Sequence, residues 1–465
     1  MKVAVTRAII ISVVATFAGL SIIGVLRVYS PIPLGDEWKG YLGFYADLLD
    51  GKYSAWFTQF GLHRLILPRV LFWLDIKYFD GRFVFLIVAN LVILCGVIAI
   101  LIAYLRRLKS ENCTQFIIGA VISIMAVSWL QEPNLTGGFN GAQYFMAILL
   151  PLVAFYCLAL AQEQRHFFWL ALLAGFASAW TMANGILVLP LLATLALCIR
   201  FKPARIAMLA IASVATVALY FDFFSNERPS VLRTYWSTLT GDPIGAAQYA
   251  LAFLGNPFFC VVSYPLAALQ YIFLLVAGAE YASRPAFGED GLGDYPIAFT
   301  IGLYIAQAAG AVLIAAAAIA ARRWFVSARE ATRGTLLAFL FFIIFTAVAC
   351  AAARLDNGVG YAVQLRYTTP ALLAWIALIV LGAPSFNSRR ALGIFACTVI
   401  ILFPSQILPV FGLTRIAVRH EHMLQAMQAI LHGSEDHDTL YIIFADPDVA
   451  RRLRGTKVSI FADGP

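Results

Sequence analysis

The stretch that decides the fold is residues 83–110, FVFLIVANLVILCGVIAILIAYLRRLKS. Its first part, 83–105, carries no charged residue and is longer than the roughly 20 apolar residues that cross a bilayer as a helix. Arg106, Arg107 and Lys109 follow at once. Because basic residues collect in short cytoplasmic loops, this stretch predicts a transmembrane helix that ends on the cytoplasmic side.

The composition of the chain extends this prediction to the whole protein. Of its 465 residues, 62% are hydrophobic and 12% are charged, whereas about 25% of the residues of a soluble domain are charged. This composition excludes soluble enzymes, nucleic-acid-binding proteins and disordered scaffolds. Basic cytoplasmic loops account for the net charge of +8 without a nucleic-acid partner.

Apolar runs of similar length recur along the chain. They predict an all-α polytopic membrane protein with about eleven transmembrane helices. The first is expected to be retained in the protein, because it lacks the small-residue cleavage site of a signal peptide. The predicted spans are 8–26, 83–105, 115–131, 143–161, 167–183, 185–199, 206–224, 296–321, 335–353, 369–383 and 391–410.

The distribution of Lys and Arg between the loops predicts the orientation. Basic residues are concentrated in alternate short loops, which puts the amino terminus in the cytoplasm and the carboxyl terminus in the periplasm of a bacterial inner membrane. The basic, inner loops are 106–114, 162–166, 200–205, 322–334 and 384–390. The outer loops are 27–82, 132–142, 225–245 and 354–368, with a short outer turn at Asn184.

One apolar segment, 246–280, does not fit a simple count of crossings. A single crossing there would move the basic loop 322–334 to the outside. We expect a re-entrant hairpin or a tilted pair of helices that starts and ends outside and is broken at 255–257. Two short full spans are the alternative. Together with the acidic loop after it, this segment makes an insertion at 246–295 in a transmembrane domain of residues 1–410.

The remaining residues, 411–465, are expected to form a small periplasmic tail. Its pattern predicts an α/β unit that packs on the membrane part and is too small for a catalytic domain. The predicted elements are a helix at 413–432, a strand at 439–444, a helix at 447–454 and a strand at 457–461.

The first outer loop opens with a pair of acidic residues. The sequence SPIPLGDEW at 30–38 ends the first helix, because proline stops a helix and glycine frees the backbone. Asp36 and Glu37 then lie just above the bilayer beside Trp38, as a candidate general base or cation site. The alternative is that both carboxylates solvate the loop or cap the next helix.

Two amphipathic stretches follow in the same loop, and the second, 62–74, is expected to bend at Pro68. Such helices fit a position flat on the bilayer. From there His63, Arg64 and Arg69 would reach a lipid-linked phosphate. The alternative is that these side chains extend to the lipid head groups.

Two other outer segments are rich in amides. The polar, glycine-rich segment 132–143 would offer amides to sugar hydroxyls, unless it is a plain turn. Asn184 interrupts two short apolar runs and would face a cavity, unless it only belongs to a tight turn.

A late outer loop carries the candidate anion site, with Arg354, Arg366 and Tyr367. Arg366 lies just before a span on the less basic side of the membrane, against the usual charge bias. Its guanidinium suits bidentate binding of phosphate. The alternative is a salt bridge between Arg366 and Asp356.

Together these features resemble the GT-C superfamily of membrane glycosyltransferases. The shared features are an acidic pair directly after the first membrane helix, two interfacial helices in the first outer loop and an outer arginine late in the chain. The sequences DEW at 36–38, ANG at 183–185 and LRY at 365–367 are similar to those of a group of bacterial polytopic proteins of this type. The likeness covers roughly residues 1–410, whereas the insertion and the tail are not general features of the superfamily.

The resemblance implies an enzyme that uses a polyprenyl-phosphate-linked sugar on the periplasmic face. Asp36 matches the carboxylate that acts at the acceptor hydroxyl, and Arg366 matches the residue expected to bind the donor phosphate, with Arg354 or His63 assisting. Glu37 would assist Asp36 or hold a divalent cation, and the use of a metal stays open. The lack of a large soluble domain favours a lipid-linked glycan or a lipid as acceptor.

Two other classes of function remain open. A transporter or flippase of lipid-linked saccharides would also need an amphipathic cavity and outer arginines. It would be expected to carry charges deep in several spans or a paired half-chain symmetry, and the sequence displays neither. A non-enzymatic assembly or anchoring protein would tolerate the loss of Asp36.

Overall fold

The structure, a computed structural model, describes residues 2–221, 231–276, 295–327, 329–407, 410, 415–433 and 436–461. These residues form helices and connecting turns, with no β-strand among them. Nine of the described helices are long and apolar enough to cross a membrane, as expected for a multi-pass helical protein. They are Ala4–Val28, Val84–Arg107, Asn112–Thr136, Gly138–Leu160, Pro203–Phe221, Pro296–Val326, Ala331–Asn357, Leu365–Ser385 and Ser388–Ile407.

The α-helices are numbered along the chain. The first ten are α1 (Lys2–Val28), α2 (Phe44–Leu49), α3 (Ile66–Tyr78), α4 (Val84–Arg107), α5 (Asn112–Ala126), α6 (Glu132–Thr136), α7 (Gly138–Leu160), α8 (Phe167–Ser178), α9 (Val188–Cys198) and α10 (Pro203–Phe221). The others are α11 (Val231–Gly241), α12 (Pro243–Leu254), α13 (Asn256–Val276), α14 (Pro296–Val326), α15 (Ala331–Arg354), α16 (Thr368–Gly382), α17 (Ser388–Ile407), α18 (Arg415–Leu431), α19 (His437–Ile442) and α20 (Pro447–Leu453).

Shorter helical turns connect these elements. A π-helix covers Trp38–Gly43. The 3-10 helices are Tyr53–Trp56, Trp129–Gln131, Ala183–Leu187, Leu355–Asn357, Val359–Val363, Leu365–Tyr367, Ala383–Ser385 and Ser459–Phe461.

Two of the predicted spans are helices shorter than the roughly 20 residues of a full crossing, so that the described residues contain nine candidate spans, or ten with the bent pair of the insertion, where about eleven were expected. The predicted span 167–183 is the 12-residue α8, and 185–199 is a short helix from Ala183 to Cys198. The chain reverses sharply between them. A Cβ atom at Gly185 would lie 1.9 Å from the carbonyl oxygen of Ser178, so that only glycine allows this turn.

The insertion is broken where the sequence predicted. The axes of α12 and α13 differ by 77°, and Gly255 separates the two helices. A Cβ atom at Gly255 would lie 1.8 Å from the carbonyl oxygen of Ala306, so the bend packs directly on the backbone of α14. The acidic residues expected in the second part of the insertion lie outside the described residues.

The amphipathic stretches of the first loop pack into the protein, and the second begins later than expected. Tyr41 and Leu42 of the first are fully buried, as is Phe72 of the second. The second helix starts at Ile66, and Pro68 lies in its first turn, where proline does not bend a helix. Both stretches therefore bury part of their apolar faces against the protein, and their position flat on the bilayer stays a prediction.

The tail is helical in its described residues, which corrects the predicted α/β unit. The expected helices correspond to α18 and α20, but the expected strand at 439–444 is α19 followed by a turn, and the second strand ends in a 3-10 helix. Short apolar runs have the same pattern in a strand and in a buried helical turn. Ile443 and Ile460 are buried in the turns that replace the strands.

Candidate active site

A single large cavity collects the residues predicted from the sequence. Its volume is about 1040 Å³. All eight candidates line it: Asp36, Glu37, His63, Arg64, Asn184, Arg354, Arg366 and Tyr367. Among the residues that the structure describes, none from the predicted inner loops contributes to the lining. The predicted outer segments thus meet around one space at one end of the protein.

The acidic wall of the cavity, residues 34–38, is a tight turn held by local hydrogen bonds. Gly35 adopts a positive φ of 56°, which glycine tolerates without strain. The backbone N–H of Leu34 donates to Oε2 of Glu37 at 2.9 Å. The indole N–H of the fully buried Trp38 donates to the carbonyl oxygen of Pro33 at 3.0 Å. These bonds direct Glu37 inwards and leave Asp36 exposed at the cavity.

The two carboxyl groups of the acidic wall differ in charge state. Burial raises the pKa of Glu37 to about 8, the hydrogen bond from Leu34 opposes this shift, and the charge of Asp36 adds to it. Glu37 is therefore mostly protonated at neutral pH. The exposed Asp36 is consequently the better candidate for a general base.

The basic wall, residues 354–367, surrounds one tyrosine with two guanidinium groups. Arg366 donates from Nη2 to the hydroxyl of Tyr361 at 2.6 Å. Its guanidinium carbon lies 5.6 Å from the ring centroid of Tyr361 and 5.5 Å from that of Tyr367. Arg354 lies 5.9 Å from the same Tyr361 ring. Asp356, the alternative partner of Arg366, is exposed and does not line the cavity.

Two fully buried asparagines hold the segment that carries Arg366. Asn134 donates to the carbonyl oxygen of Arg366 at 2.9 Å and to the hydroxyl of Thr369 at 2.8 Å. Asn256, at the bend of the insertion, donates to the carbonyl oxygen of Gln364 at 2.8 Å and to that of Ala362 at 3.3 Å. Because buried backbone groups need partners, these amides determine where the basic wall lies.

His63 enters the cavity as a neutral hydrogen-bond donor. Its backbone pairs with that of Phe60 across a turn at Gly61, which has a φ of 57°. The backbone N–H of Ala183 donates to Nδ1 of His63 at 3.2 Å, which leaves the remaining proton on Nε2. Burial, together with the smaller effect of the charges of Arg354 and Arg366, lowers the pKa of His63 to about 4. A positively charged imidazole is thus disfavoured here.

Two of the expected phosphate ligands contact the backbone of the protein. Arg64 is 1% exposed and donates to the carbonyl oxygens of Tyr220, at 2.9 Å, and Phe57, at 3.1 Å. Arg69 does not line the cavity and donates to the carbonyl oxygen of Thr58 at 2.6 Å. These contacts give both buried guanidinium groups backbone partners without a ligand, and Nε of Arg69 has no hydrogen-bond partner among the described residues. For Arg69 they correct the expected phosphate contact.

Asn184 lines the cavity beside the tight turn predicted for it. Its Nδ2 donates to the hydroxyl of Thr346 at 3.3 Å. Its Oδ1 is buried and has no hydrogen-bond partner among the described residues. A ligand hydroxyl or amide would satisfy this oxygen, because buried polar atoms are almost always paired.

The glycine-rich segment 132–143 is largely helical and also reaches the cavity. It forms α6 and the start of α7, so it is not the plain turn that was the alternative. The lining includes Glu132, Asn140 and Gln143 of this segment.

Some lining residues carried no signal in the sequence. Met423, Ile442 and Phe444 of the tail line the same cavity. Their contact with the first loop joins parts of the chain about 400 residues apart, as the Arg452–Asp47 bond illustrates. No local pattern reports such a contact.

In the residues that the structure describes, no group of three or more His, Cys, Asp or Glu side chains is placed to hold a metal ion. The use of a divalent cation therefore remains open, as it was from the sequence.

In a comparison with known proteins, no family model, curated protein or solved structure matches this chain. What the cavity does is accordingly argued from its own residues.

Proposed function

We propose that the protein is a membrane glycosyltransferase of the GT-C type. It transfers a sugar from a polyprenyl-phosphate-linked donor to a glycan or lipid acceptor on the periplasmic face of a bacterial inner membrane. One observation carries the proposal: Asp36 and Arg366, from distant parts of the chain, line the same cavity. In a one-step displacement of a phosphate, a carboxylate can take the proton of the acceptor hydroxyl and a guanidinium can stabilise the leaving phosphate.

The proposed reaction is a direct displacement at the anomeric carbon. An acceptor hydroxyl oxygen forms the new bond to that carbon while its proton passes to Asp36. The bond between the anomeric carbon and the phosphate oxygen breaks, and its electron pair stays on the phosphate. Arg366 stabilises the negative charge that develops there. Because attack and departure occur on opposite sides, the configuration inverts.

The other wall residues have supporting roles in this proposal. Arg354 adds positive charge near the phosphate, and neutral His63 donates a hydrogen bond from Nε2. Because Glu37 is protonated, it adds no second negative charge near the leaving phosphate. Asn184 accepts from a sugar hydroxyl, and Tyr367 packs beside the Arg366 guanidinium.

The size and composition of the cavity agree with such a donor. A volume of about 1040 Å³ is at the upper end of the roughly 300–1,000 Å³ of small-molecule sites. Apolar residues also line the cavity, such as Ile148 of α7 and Leu187 just before α9. A lining that combines charged and apolar residues suits a sugar phosphate that is attached to a lipid.

A flippase of lipid-linked saccharides remains the alternative. It requires a polar path to the other side of the membrane, whereas the described residues of the lining come from the predicted outer segments and nearby helix ends. The transferase is therefore the better-supported function.

The experiment is a transfer assay with the full chain in lipid nanodiscs. Radiolabelled polyprenyl-phosphate sugars are supplied with a glycolipid extract, and both product and released polyprenyl phosphate are measured. We expect Asp36→Asn to slow transfer by roughly 100-fold to 10,000-fold, the usual contribution of a general base.

Asp80→Asn is the matched control, because Asp80 is also an exposed carboxylate of the first outer loop but does not line the cavity. We expect it to transfer at the parental rate. Parental transfer by Asp36→Asn would contradict the proposed base. Movement of intact donor between leaflets without any transfer would establish the flippase instead.

A further inference from the structure

The tail contributes one wall of the cavity next to the acidic pair. The backbone N–H of Gly35 donates to the carbonyl oxygen of Ile443 at 3.1 Å. The residues that follow the two partners, Asp36 and Phe444, both line the cavity. This backbone bond therefore brings the residues that carry an aromatic ring and a carboxylate close together in the lining.

Contacts outside the cavity hold this part of the tail in place. Arg452 of α20 forms ion pairs with Asp47, at 2.8 Å, and Asp50, at 2.7 Å. Lys39 and Asp446 form another at 3.5 Å. These ion pairs therefore fix the position of Phe444 in the absence of a ligand.

Phe444 presents a large apolar ring at the cavity. Its side chain is 48% exposed, and its backbone has a φ of 51° because it ends α19, where the N–H of Ala445 donates to the carbonyl oxygen of Leu440 at 2.9 Å. Its ring lies 4.9 Å from that of Tyr441, which is 61% exposed but does not line the cavity. The exposure of this ring at the cavity leaves an apolar surface for a ligand.

We propose that Phe444 is the stacking platform for a pyranose ring of the acceptor, so that the acceptor is a saccharide. This inference rests on the proposed transferase and narrows its acceptor. A pyranose has an apolar face of C–H groups and a rim of hydroxyls. The ring of Phe444 matches the apolar face, and the adjacent Asp36 accepts a hydrogen bond from the rim. The alkyl chain of a lipid acceptor could also pack on the ring of Phe444, but it would contact the carboxylate of Asp36 without donating a hydrogen bond to it.

The test is a binding measurement that does not depend on transfer. The full chain in nanodiscs is examined by saturation-transfer NMR with the methyl glycosides of glucose, galactose and mannose, and with sorbitol as an acyclic polyol. We expect at least one pyranoside to bind through the C–H protons of one face, and sorbitol not to bind. Phe444→Leu keeps the bulk but removes the ring, and we expect roughly tenfold weaker binding, the equivalent of about 1.4 kcal/mol.

Two further variants make the result specific. We expect Phe444→Trp to retain the pyranoside signal and Tyr441→Leu, at the neighbouring exposed ring, to leave it unchanged. Parental binding by Phe444→Leu, no binding of any pyranoside, or equal binding of sorbitol would overturn the platform.

The outcomes also separate this inference from the proposed function. A pyranoside signal that depends on Phe444 in a protein that transfers no sugar would sustain the platform and refute the transferase. Transfer that depends on Asp36, with an acceptor KM unchanged in Phe444→Leu, would refute the platform alone.

Discussion

The acidic and basic walls face the same cavity but are built in different ways. The side-chain hydrogen bonds of the acidic wall are local, because the partners of Glu37 and Trp38 lie within five residues of them. In the part of the chain that the structure describes, only the backbone of this wall at Gly35 binds a distant residue, Ile443. The basic wall depends on distant residues, since Asn134 binds the Arg366 carbonyl from 232 residues away. A substitution in the acidic wall should therefore alter the chemistry of one group. The basic wall should also respond to changes far from its own guanidinium groups.

The largest effect on binding of the donor is expected at the basic wall itself. Arg366→Gln removes the charge that would bind the donor phosphate, and loss of such a contact costs about 2–5 kcal/mol, or roughly 30-fold to several thousandfold in kcat/KM. The measurement is donor-dependent transfer at fixed acceptor concentration. Arg389→Gln, in a predicted inner loop, is the control and should be unaffected. A parental kcat/KM for Arg366→Gln would remove phosphate binding from this wall.

A smaller effect should come from a support of the basic wall. Asn256→Leu leaves the carbonyl oxygens of Ala362 and Gln364 without this donor, at about 1–3 kcal/mol each, and lets the segment that carries Arg366 shift. We expect the donor KM to rise roughly tenfold and the acceptor KM to stay within twofold. Asn90→Leu is the control, because Asn90 is a fully buried amide that donates to Gly138. Equal effects of both variants on the donor KM would indicate a general loss of packing.

His63 lines the cavity together with the two walls. Substitution by asparagine or by glutamine distinguishes the roles of its two ring nitrogens. Asparagine at this position keeps an acceptor for Ala183 but loses the distal donor, whereas glutamine keeps a distal donor. We expect His63→Asn to weaken donor binding roughly fivefold, as for one hydrogen bond of about 1 kcal/mol, and His63→Gln to weaken it less.

The pH dependence of these variants supplies a second check. Because the pKa of His63 is about 4, its imidazole stays neutral from pH 5.5 to 7.5. The ratio of the His63→Asn and parental affinities should therefore be constant over that range. A ratio that rises towards pH 5.5 would indicate a charged imidazole.

The smallest effect is expected from the charge state of the acidic wall. Glu37 loses its proton as the pH rises through about 8, which adds a negative charge beside Asp36 and opposes phosphate binding. Parental affinity for polyprenyl phosphate should fall a few-fold between pH 7 and 9. The side chain of Glu37→Gln cannot ionise, so its affinity for polyprenyl phosphate should fall less over this pH range. The phosphate itself titrates equally with both proteins, so the difference between their pH profiles reports Glu37 alone. Identical pH profiles would contradict the protonated Glu37.

The features predicted from the sequence are those that local pattern controls. Apolar runs revealed the helical membrane class, and the turn before Asp36 follows from prolines and a glycine within a few residues. The break at Gly255 was predicted because glycine and proline interrupt a helix wherever they occur. All eight candidate site residues line one cavity, because each belongs to a predicted outer segment and these segments meet at one end.

The features that escaped prediction depend on contacts between distant segments. Arg64 binds a carbonyl 156 residues away, and the tautomer of His63 is set by Ala183, 120 residues further on. The tail was expected to contain strands because a short apolar run is ambiguous by itself. The packing of the tail against the first loop favours helical turns over strands and places Phe444 at the cavity.

The most direct test of the account is the affinity of Asp36→Asn for polyprenyl phosphate, measured with the purified chain in nanodiscs at pH 7. If Asp36 and Arg366 face one ligand, the carboxylate repels the bound phosphate, and its removal should tighten binding roughly threefold or more. An affinity equal to or weaker than the parental one would mean that the two walls do not share a ligand, and would contradict the proposed mechanism.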